Sequence, residues 1–526
     1  MNNNRYNTII ALLGVILGVL ITLIGFKITD NQRKFDGDYN RWRKLNLILH
    51  EVQKHYVDTI DMPAMTDAAV TAALAKLDPH SVYLPPVELK ESDAELAGNF
   101  EGIGITFNVP NDTAIVLSVI PGGPSEKAGL AAGDRIIKVD EKMIAGTKTP
   151  QDSMVRMMKG PAGSKVKISV SRSGQMIPFE ITRGKIPVHS VDAAFMVSDS
   201  VGYIKLTKFS RTTFKEFEAA SAKLMEQGMK HLIFDLRDNT GGYFDQALLL
   251  CNEFLQKGDA IVYMEGLHRP RQQYDADGRG KLKDVALTVL IDEGSASSSE
   301  IFAGAIQDND RGLIIGRRSF GKGLVQEPVN FTDGSGLRLT VARFYTPSGR
   351  CIQKPYDKKN YNYDIYERYA HGEMTSADSM KVDSTALYYT VKGRRVYGGG
   401  GIIPDTFVPI DTTKATKFFI NCTKKAVMMR FASSMFDKYA SSLSKIDSFE
   451  GLERWMRDID LEAQFLSYAA KVENLRPAAG EWEETKWYMM PQVKALVGRY
   501  SKLQDEAFYR FYLPIDNEFQ TALTER

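Results

Sequence analysis

Between residues 187 and 410, short apolar runs alternate with amphipathic stretches along the chain. The apolar runs include VGYIKL, HLIFDL, ALTVLID and GLIIG, and the stretches between them carry apolar residues at helical spacing. Strands that are buried on both faces need connecting helices to cover the sheet. We therefore predict an α/β core with strand–helix alternation at residues 187–410.

The segments on either side of this core have different patterns. Residues 36–97 are rich in helix formers with apolar residues at helical spacing, which predicts an N-terminal helical region. Residues 98–186 contain short strand patterns separated by glycine turns, which predicts an inserted β-rich domain. Residues 411–526 contain amphipathic patterns that predict a C-terminal helical region.

Residues 1–35 differ again, because Thr8–Phe26 carries no charged side chain. This stretch is just long enough to cross a bilayer as a helix. A cleaved secretory signal usually has a shorter apolar stretch followed by a small-x-small site, and the sequence after Phe26 offers no such site. We predict an uncleaved signal anchor followed by a linker. Basic residues flank the stretch on both sides, so charge leaves its orientation open.

Charge and cysteine content exclude several classes of function. The formal net charge is +2 and no long basic run occurs, so nothing indicates a nucleic-acid-binding protein. The three cysteines are widely scattered and give neither a disulfide framework nor metal-ligand spacing. No histidine accompanies the carboxylates near the glycine turns of the core. We therefore expect no metal site and no cofactor.

The segment Gly316–Gln326, GRRSFGKGLVQ, nearly matches the loop that holds nucleotide phosphates in many enzymes. Gly323 stands where that loop needs a serine or threonine to bind magnesium. The following LVQEPVNF is strand-like and contains a proline, whereas a phosphate loop opens a helix. A nucleotide-dependent enzyme is therefore the weakest alternative, and Lys322 needs another explanation.

A run of small residues, GSASSSE, separates a strand pattern from a helical pattern. Ser297 lies at this junction, where its hydroxyl is exposed at the edge of the sheet. The first amides of the helix, beginning with Ser298, have no partner within the helix and suit an oxyanion. The serines of this run can also simply cap the helix, and the run taken alone favours capping.

A second turn, DNTGGYF, also joins a strand pattern to a helical pattern. Because Gly241 and Gly242 have no side chains, a backbone amide there can approach a ligand oxygen closely. One of these amides, together with that of Ser298, would make a two-donor oxyanion hole.

A serine nucleophile also needs a base, which is usually a histidine. No histidine lies between His268 and His371, and neither of these has informative neighbours. A lysine can serve instead if burial lowers its pKa enough to keep it neutral. Lys322 follows an apolar strand pattern and lies between two glycines that let the backbone bring the amine inward. We therefore interpret Lys322 as a general base.

The β-rich domain resembles a PDZ domain, in the order of its elements and in the stretches GIGI and PSEKAGLAAGDRIIKVD. Its adjoining strand edge can pair with an extended peptide. The residues whose successive amides can bind a terminal carboxylate are Gly102, Ile103, Gly104 and Ile105. Met154 and Met158 lie one helical turn apart and form either an apolar pocket for the last side chain or part of the core, since the spacing fits both.

Five motifs together resemble those of the C-terminal processing proteases, also called tail-specific proteases: FDLRDNTGG, GSASSSEIFAGAIQDN, SFGKGLVQ, FYTPSGRCIQ and VYGGGGIIPD. The resemblance covers about residues 36–410 and implies a serine endopeptidase with a Ser-Lys dyad. It implies that Ser297 is the nucleophile, that Lys322 is the base and that Gln326 helps to hold the lysine in place. The family's NPGG turn is NTGG here, with Thr240 in place of proline.

The resemblance also implies partners and a location. Its substrates are proteins or peptides with exposed C-termini, with no role for nucleic acid, and a homo-oligomer stays an open alternative to a monomer. Export places the catalytic part in the periplasm, held at the cytoplasmic membrane by the N-terminal anchor. The alternative is a catalytically inactive PDZ-containing scaffold, against which the intact trio Ser297, Lys322 and Gln326 argues.

Overall fold

The computed structural model describes residues 43–109, 112–172, 174–356, 361–411 and 415–525. The chain forms two compact units, Met1–Lys76 and Leu77–Arg526. The predicted signal anchor and linker at residues 1–35 lie outside the described residues. Among the helices that are described, none is both long enough and apolar enough to cross a membrane.

In the first unit, the described residues form helices at 43–55 and Met62–Leu74. The side chain of Asp61 accepts a hydrogen bond from the amide of Ala64 and so caps the second helix. A proline in the first turn suits this helix start, because its missing N–H would have no partner there. The predicted N-terminal helical segment is therefore confirmed.

The second unit is built around a mostly parallel sheet, called the core sheet below. Its strands lie side by side in the order Val191–Met196, Val201–Leu206, His231–Asp235, Ala286–Ile291, Leu313–Gly316 and Thr406–Phe407. The first pair is antiparallel and all the others are parallel. The central strands are apolar on both faces, so both faces must be covered.

Helices cover the core sheet on both sides. One face packs against the helices Thr213–Glu226, Phe244–Phe254 and Ser298–Asp308. On the other face, Tyr203 and Ile233 belong to a second cluster with Leu513 and Phe519 from the C-terminal region. The C-terminal region thus supplies part of the outer layer of the α/β core.

An antiparallel sheet accompanies the core sheet. Its strands follow the order Val82–Leu84, Gly336–Tyr345, Ala260–Gly266 and Arg269–Asp275, and Leu324–Asn330 also pairs with Gly336–Tyr345. Two short strand pairs complete this part: Asn99–Gly102 with Gly184–Pro187, and Leu387–Tyr389 with Arg395–Tyr397. The described helices of this part are Pro86–Leu96 and Asp364–Ala370.

The PDZ-like domain is rich in β-strands, as its sequence predicts. Its strands follow the order Ile105–Asn108, Ala114–Val119, Arg135–Val139, Lys165–Arg172 and Gln175–Thr182, and Lys142–Met143 pairs with the third of them. Its helices are Pro124–Ala128 and Gln151–Met158. Met154 and Met158 are buried in the hydrophobic core of the domain, which favours the core alternative over the pocket alternative.

The C-terminal region is helical, as predicted. Residues 416–436 and residues 451–475 each show one continuous amphipathic pattern in the sequence, but each pattern forms two helices. Its helices are Lys417–Lys424, Val427–Leu443, Phe449–Asp458, Leu461–Lys471, Glu481–Gly498, Asp505–Tyr512 and Asn517–Thr524. Ala426 and Asp460, with φ of 51° and 48°, separate the members of the first two pairs. The α/β core with an inserted PDZ-like domain and flanking helices is the fold class that the sequence predicts.

Candidate active site

A cleft of about 560 Å³ brings together the two glycine- and serine-rich turns and the lysine loop. The core residues singled out from the sequence all line it, namely Gly241, Gly242, Ser297, Ser298, Lys322 and Gln326. The two turns follow the neighbouring parallel strands His231–Asp235 and Ala286–Ile291. Because parallel strands end at the same edge of a sheet, residues far apart in sequence meet at this edge.

Ser297 immediately precedes the helix Ser298–Asp308. Its φ of 56° and ψ of −114° lie in a region that residues with side chains rarely adopt. The neighbouring Ser295 and Ser299 are fully buried, and their hydroxyls donate to the backbone carbonyls of Leu236 and Asn239 at 2.8 Å. Of these three serines, Ser297 is therefore the one that lines the cleft.

Lys322 lies in a loop that connects the strand Leu313–Gly316 to the strand Leu324–Asn330. No helix follows the loop, so it lacks the geometry of a phosphate-binding loop. Two hydrogen bonds anchor the loop on either side of the lysine. The Gly323 amide donates to Gln353 Oε1 at 2.8 Å, and the Gly321 carbonyl accepts from the Lys354 amide at 2.9 Å.

Burial lowers the pKa of Lys322 below its ordinary value of 10.5, and the nearby positive charge of Arg338 acts in the same direction. The negative charge of Glu300 opposes this shift. The lysine amine lies 3.5 Å from Gln326 Oε1, and Gln326 Nε2 in turn donates to the backbone carbonyl of His80. Gln326 thus lies between the lysine amine and the loop that contains His80, and the role that the family resemblance implies for it stays a prediction.

His80 itself stays neutral near the lysine. Burial lowers the pKa of His80 from 6.5 to about 4. Its Nε2 atom lies 2.6 Å from the Tyr361 hydroxyl. The backbone carbonyl of His80, rather than its ring, contacts Gln326.

Glu300 connects the two halves of the site, and sequence reasoning missed it. Its fully buried carboxylate accepts hydrogen bonds from the amides of Ser297 at 2.8 Å and Lys322 at 2.9 Å through Oε2. Through Oε1 it accepts from the Gly321 amide at 2.7 Å and from the Ser319 hydroxyl at 2.5 Å. One side chain therefore fixes the backbone of both the serine and the lysine.

Burial raises the pKa of Glu300, and the donors around it oppose that shift. The signal for this residue is present in the sequence: SSSE, from Ser297 to Glu300, has the S-x-x-E spacing of a capping box.

The predicted oxyanion donors divide into two kinds. The Gly241 amide donates to Asn239 Oδ1 at 2.9 Å and is therefore engaged inside its own turn. In the described part of the chain, the amides of Gly242 and Ser298 donate to no protein group. A side chain at Gly242 would place its Cβ 2.1 Å from the Phe209 carbonyl oxygen, so only glycine fits there. Gly242 and Ser298 are thus the available pair of donors.

The predicted carboxylate-binding stretch forms the start of the PDZ-like domain. Gly102 ends a strand, Gly104 has a φ of 75°, and Ile105 begins an edge strand that pairs on one side only within the described residues. The amides of Ile103 and Gly104 donate to no group in the described ranges. The geometry fits a turn that holds a carboxylate next to a free strand edge.

Comparison with known proteins places the chain in a family. The model of peptidase family S41 matches residues 200–362, and the PDZ domain model matches residues 102–182. A carboxy-terminal-processing protease of Bartonella bacilliformis is 34% identical in an alignment of 369 residues, which covers 67% of this chain and 84% of that relative. The chain belongs to peptidase family S41. It is a serine-type peptidase with a PDZ domain.

Further relatives agree with this family. The carboxy-terminal processing protease CtpA of Bacillus subtilis is 33% identical over 347 residues, which cover 65% of this chain and 74% of that protein. Among solved structures, the photosystem II D1 C-terminal processing protease is 31% identical and matches 58% of this chain and 83% of its own, with a TM-score of 0.36. The S41 model ends at residue 362, so it does not include the C-terminal helices.

Proposed function

We propose that this S41 peptidase is an endopeptidase that cleaves through a dyad of Ser297 and Lys322 with an acyl-enzyme intermediate. The observation that carries the proposal is the shared cleft, which holds both side chains beside the amides of Gly242 and Ser298. Burial lowers the pKa of Lys322, and this favours the neutral amine that a base requires.

The residues of the cleft account for each step of hydrolysis. Neutral Lys322 takes the proton of the Ser297 hydroxyl as its oxygen attacks the scissile carbonyl. The amides of Gly242 and Ser298 stabilise the negative charge that develops on the carbonyl oxygen. Protonated Lys322 then gives its proton to the leaving amine, which leaves an ester on Ser297. Neutral Lys322 then takes a proton from a water molecule as the water oxygen attacks the ester. Protonated Lys322 gives that proton to the Ser297 oxygen as the acyl group leaves.

The PDZ-like domain is proposed to select substrates by their free C-terminus. The amides of Ile103 and Gly104 offer donors for a carboxylate, and the strand Ile105–Asn108 offers an edge for an extended peptide. The substrates proposed are proteins and peptides with exposed C-termini.

We further propose that the uncharged segment Thr8–Phe26 anchors the protein in the cytoplasmic membrane, with the catalytic part in the periplasm. The support for this is the length and apolarity of the segment together with the membership of family S41.

The test is the loss of peptide-bond cleavage in Ser297→Ala. We expect no measurable turnover and an unchanged melting temperature, because alanine keeps the Cβ atom and removes only the hydroxyl. Ser442→Ala, at an exposed serine of a C-terminal helix, is the control and should cleave normally. Near-normal turnover by Ser297→Ala contradicts the nucleophile assignment. A wild-type protein that binds peptides with free C-termini but cleaves none would instead be the inactive scaffold.

A further inference from the structure

A buried cluster of charges joins the C-terminal helices to the turn that carries the oxyanion donors. The Arg237 guanidinium lies at its centre, with its Nη1 atom 2.7 Å from Asp516 Oδ2 and 2.6 Å from Glu518 Oε2. The side chains of Asp516 and Glu518 are 6% and 7% exposed. Glu518 also pairs with Arg317, which follows the core-sheet strand Leu313–Gly316. A cavity of about 440 Å³ lies beside the cluster.

The other side of Arg237 is fixed by the core sheet. Its Nε atom lies 3.0 Å from Asp235 Oδ1, and its Nη2 atom lies 2.6 Å from Asp235 Oδ2. Asp235 is fully buried and also accepts a hydrogen bond from Lys205 at 3.1 Å. The positive charges of Arg237 and Lys205 hold the pKa of Asp235 well below its usual range, so it is ionised. The guanidinium is thus held between one carboxylate of the sheet and two of the C-terminal region.

The backbone at Arg237 starts the strained turn that leads to the site. Its amide donates to Asp235 Oδ1 at 2.9 Å, and its carbonyl accepts from Lys205 Nζ. The next residues include Asp238, Gly241 and Gly242, with φ of 57°, 94° and 146°. Glycine adopts such φ values readily, but at Asp238 a positive φ costs energy, so this residue depends on contacts such as the hydrogen bond from its amide to Asp292 Oδ1 at 2.9 Å.

This turn contacts the serine turn directly. The Asn239 carbonyl accepts from the Ala296 amide at 3.0 Å and from the Ser299 hydroxyl at 2.8 Å. The Ser298 hydroxyl donates to the Gly242 carbonyl at 3.0 Å. These contacts set the position of the Gly242 amide relative to Ser297, and the Arg237 guanidinium holds the start of the same turn from the other side.

We infer that Asp516 and Glu518 are positioning residues for peptide cleavage: through Arg237 they hold the turn whose Gly242 amide stabilises the oxyanion. The C-terminal helices, which lie beyond the S41 match at residues 200–362, are then a required part of this active site. The inference rests on the proposed Ser-Lys mechanism. Asp516 and Glu518 should stabilise the transition state and not the bound substrate, because an oxyanion exists only in the former.

Neutralising substitutions test this inference in the full-length protein. Glu518→Gln and Asp516→Asn, alone and together, remove charge with little change of shape. Asparagine also preserves the N-terminal cap, because the Asp516 side chain accepts from the amides of Glu518 and Phe519. The matched control is Glu506→Gln, which breaks a partly exposed pair with Arg510 within the helix Asp505–Tyr512.

Three quantities are measured on an unstructured peptide: kcat, KM, and the inhibition constant of a peptide aldehyde of matching sequence. The aldehyde forms a tetrahedral adduct with the serine, so its binding reports the oxyanion donors. In the double variant we expect kcat to fall at least about tenfold with KM within about twofold of wild type, the pattern of an interaction made only in the transition state. The aldehyde inhibition constant should rise in proportion, while Glu506→Gln matches wild type.

Two outcomes overturn the inference. One is a folded double variant with wild-type kcat and aldehyde affinity. The other is a fall in kcat with unchanged aldehyde affinity, which means that the pairs only keep more molecules folded. If the double variant does not fold, the same two quantities, kcat and the aldehyde inhibition constant, are measured for Asp516→Asn and carry the test. A wild-type protein that cleaves no peptide refutes the proposed function instead, so the two failures can be told apart.

Discussion

Glu300→Gln is the substitution whose effect on catalysis the structure specifies most closely. The carboxylate accepts four hydrogen bonds, two at each oxygen: Ser297 and Lys322 donate to one, Ser319 and Gly321 to the other. Glutamine has the same shape but one acceptor oxygen. One pair of donors therefore faces an NH₂ group, and at least one buried amide loses its acceptor.

The magnitude follows from these lost hydrogen bonds. Leaving a buried donor unsatisfied costs about 1–3 kcal/mol, and one or two donors are affected, so we take about 3 kcal/mol as the central value. If this strain displaces the serine relative to the lysine in the transition state, kcat falls about 100-fold, at 1.36 kcal/mol for each factor of ten. KM should change little, because the lost hydrogen bonds do not contact the substrate.

The same substitution has a second effect of known sign. The negative charge of Glu300 raises the pKa of Lys322, against the lowering by burial. Removing that charge lowers the pKa of the lysine further. Since the neutral amine is the active form, the rise of kcat with pH should move to lower pH in Glu300→Gln.

The assay is cleavage of an unstructured peptide across a pH series by wild type, Glu300→Gln and Glu327→Gln. Glu327 lies in the strand after the lysine loop, is half-exposed and pairs with Arg269 on the surface, so its variant should match wild type. A Glu300→Gln enzyme with kcat within about threefold of wild type and an unshifted pH midpoint would refute the positioning role, since a single lost buried hydrogen bond already predicts more.

Three further results are expected. Gly242→Ala should lower kcat by at least about tenfold, because the new Cβ would lie 2.1 Å from a carbonyl oxygen. The control Gly393→Ala, whose Cβ has no atom within 4 Å, should cleave as wild type does, and equal rates for the two variants contradict the role of the Gly242 amide as an oxyanion donor. Gln326→Ala should lower kcat about three- to tenfold, the worth of one hydrogen bond to Lys322, and unchanged kinetics would remove Gln326 from the site. Amidation of a substrate's C-terminus should raise KM, measured against the free acid, and equal KM values count against carboxylate binding at residues 102–105.

Local patterns in the sequence were sufficient for much of the fold. The strand runs and the helix Ser298–Asp308 follow from apolar periodicity, which depends on near neighbours. The same patterns did not indicate the helix breaks at Ala426 and Asp460, because neither is a glycine or proline and tertiary packing sets their positive φ. The pairing of Val82–Leu84 with Gly336–Tyr345 could not be predicted from local patterns either, since it joins segments that are distant in the sequence.

The site divides in the same way. Ser297 and Lys322 were recognisable because each lies at the end of a strand pattern in a distinctive motif, and the structure places both in one cleft. The use of the Gly241 amide by Asn239 depends on turn geometry that no spacing reveals. Arg237 and the C-terminal carboxylates that it contacts are about 280 residues apart in the sequence, so no local pattern predicts the contact.

If Lys322 acts as a neutral base for a serine nucleophile, the rate of cleavage must depend on pH as the lysine loses its proton. The measurement is cleavage of an unstructured peptide in the presence of a chelator, from neutral to alkaline pH, by wild type and Lys322→Arg. The wild-type rate should rise with pH to a plateau, with a midpoint below the ordinary lysine pKa of 10.5. Lys322→Arg should be inactive throughout, because guanidinium keeps its proton at every accessible pH. Substantial cleavage by Lys322→Arg would contradict the Ser-Lys mechanism.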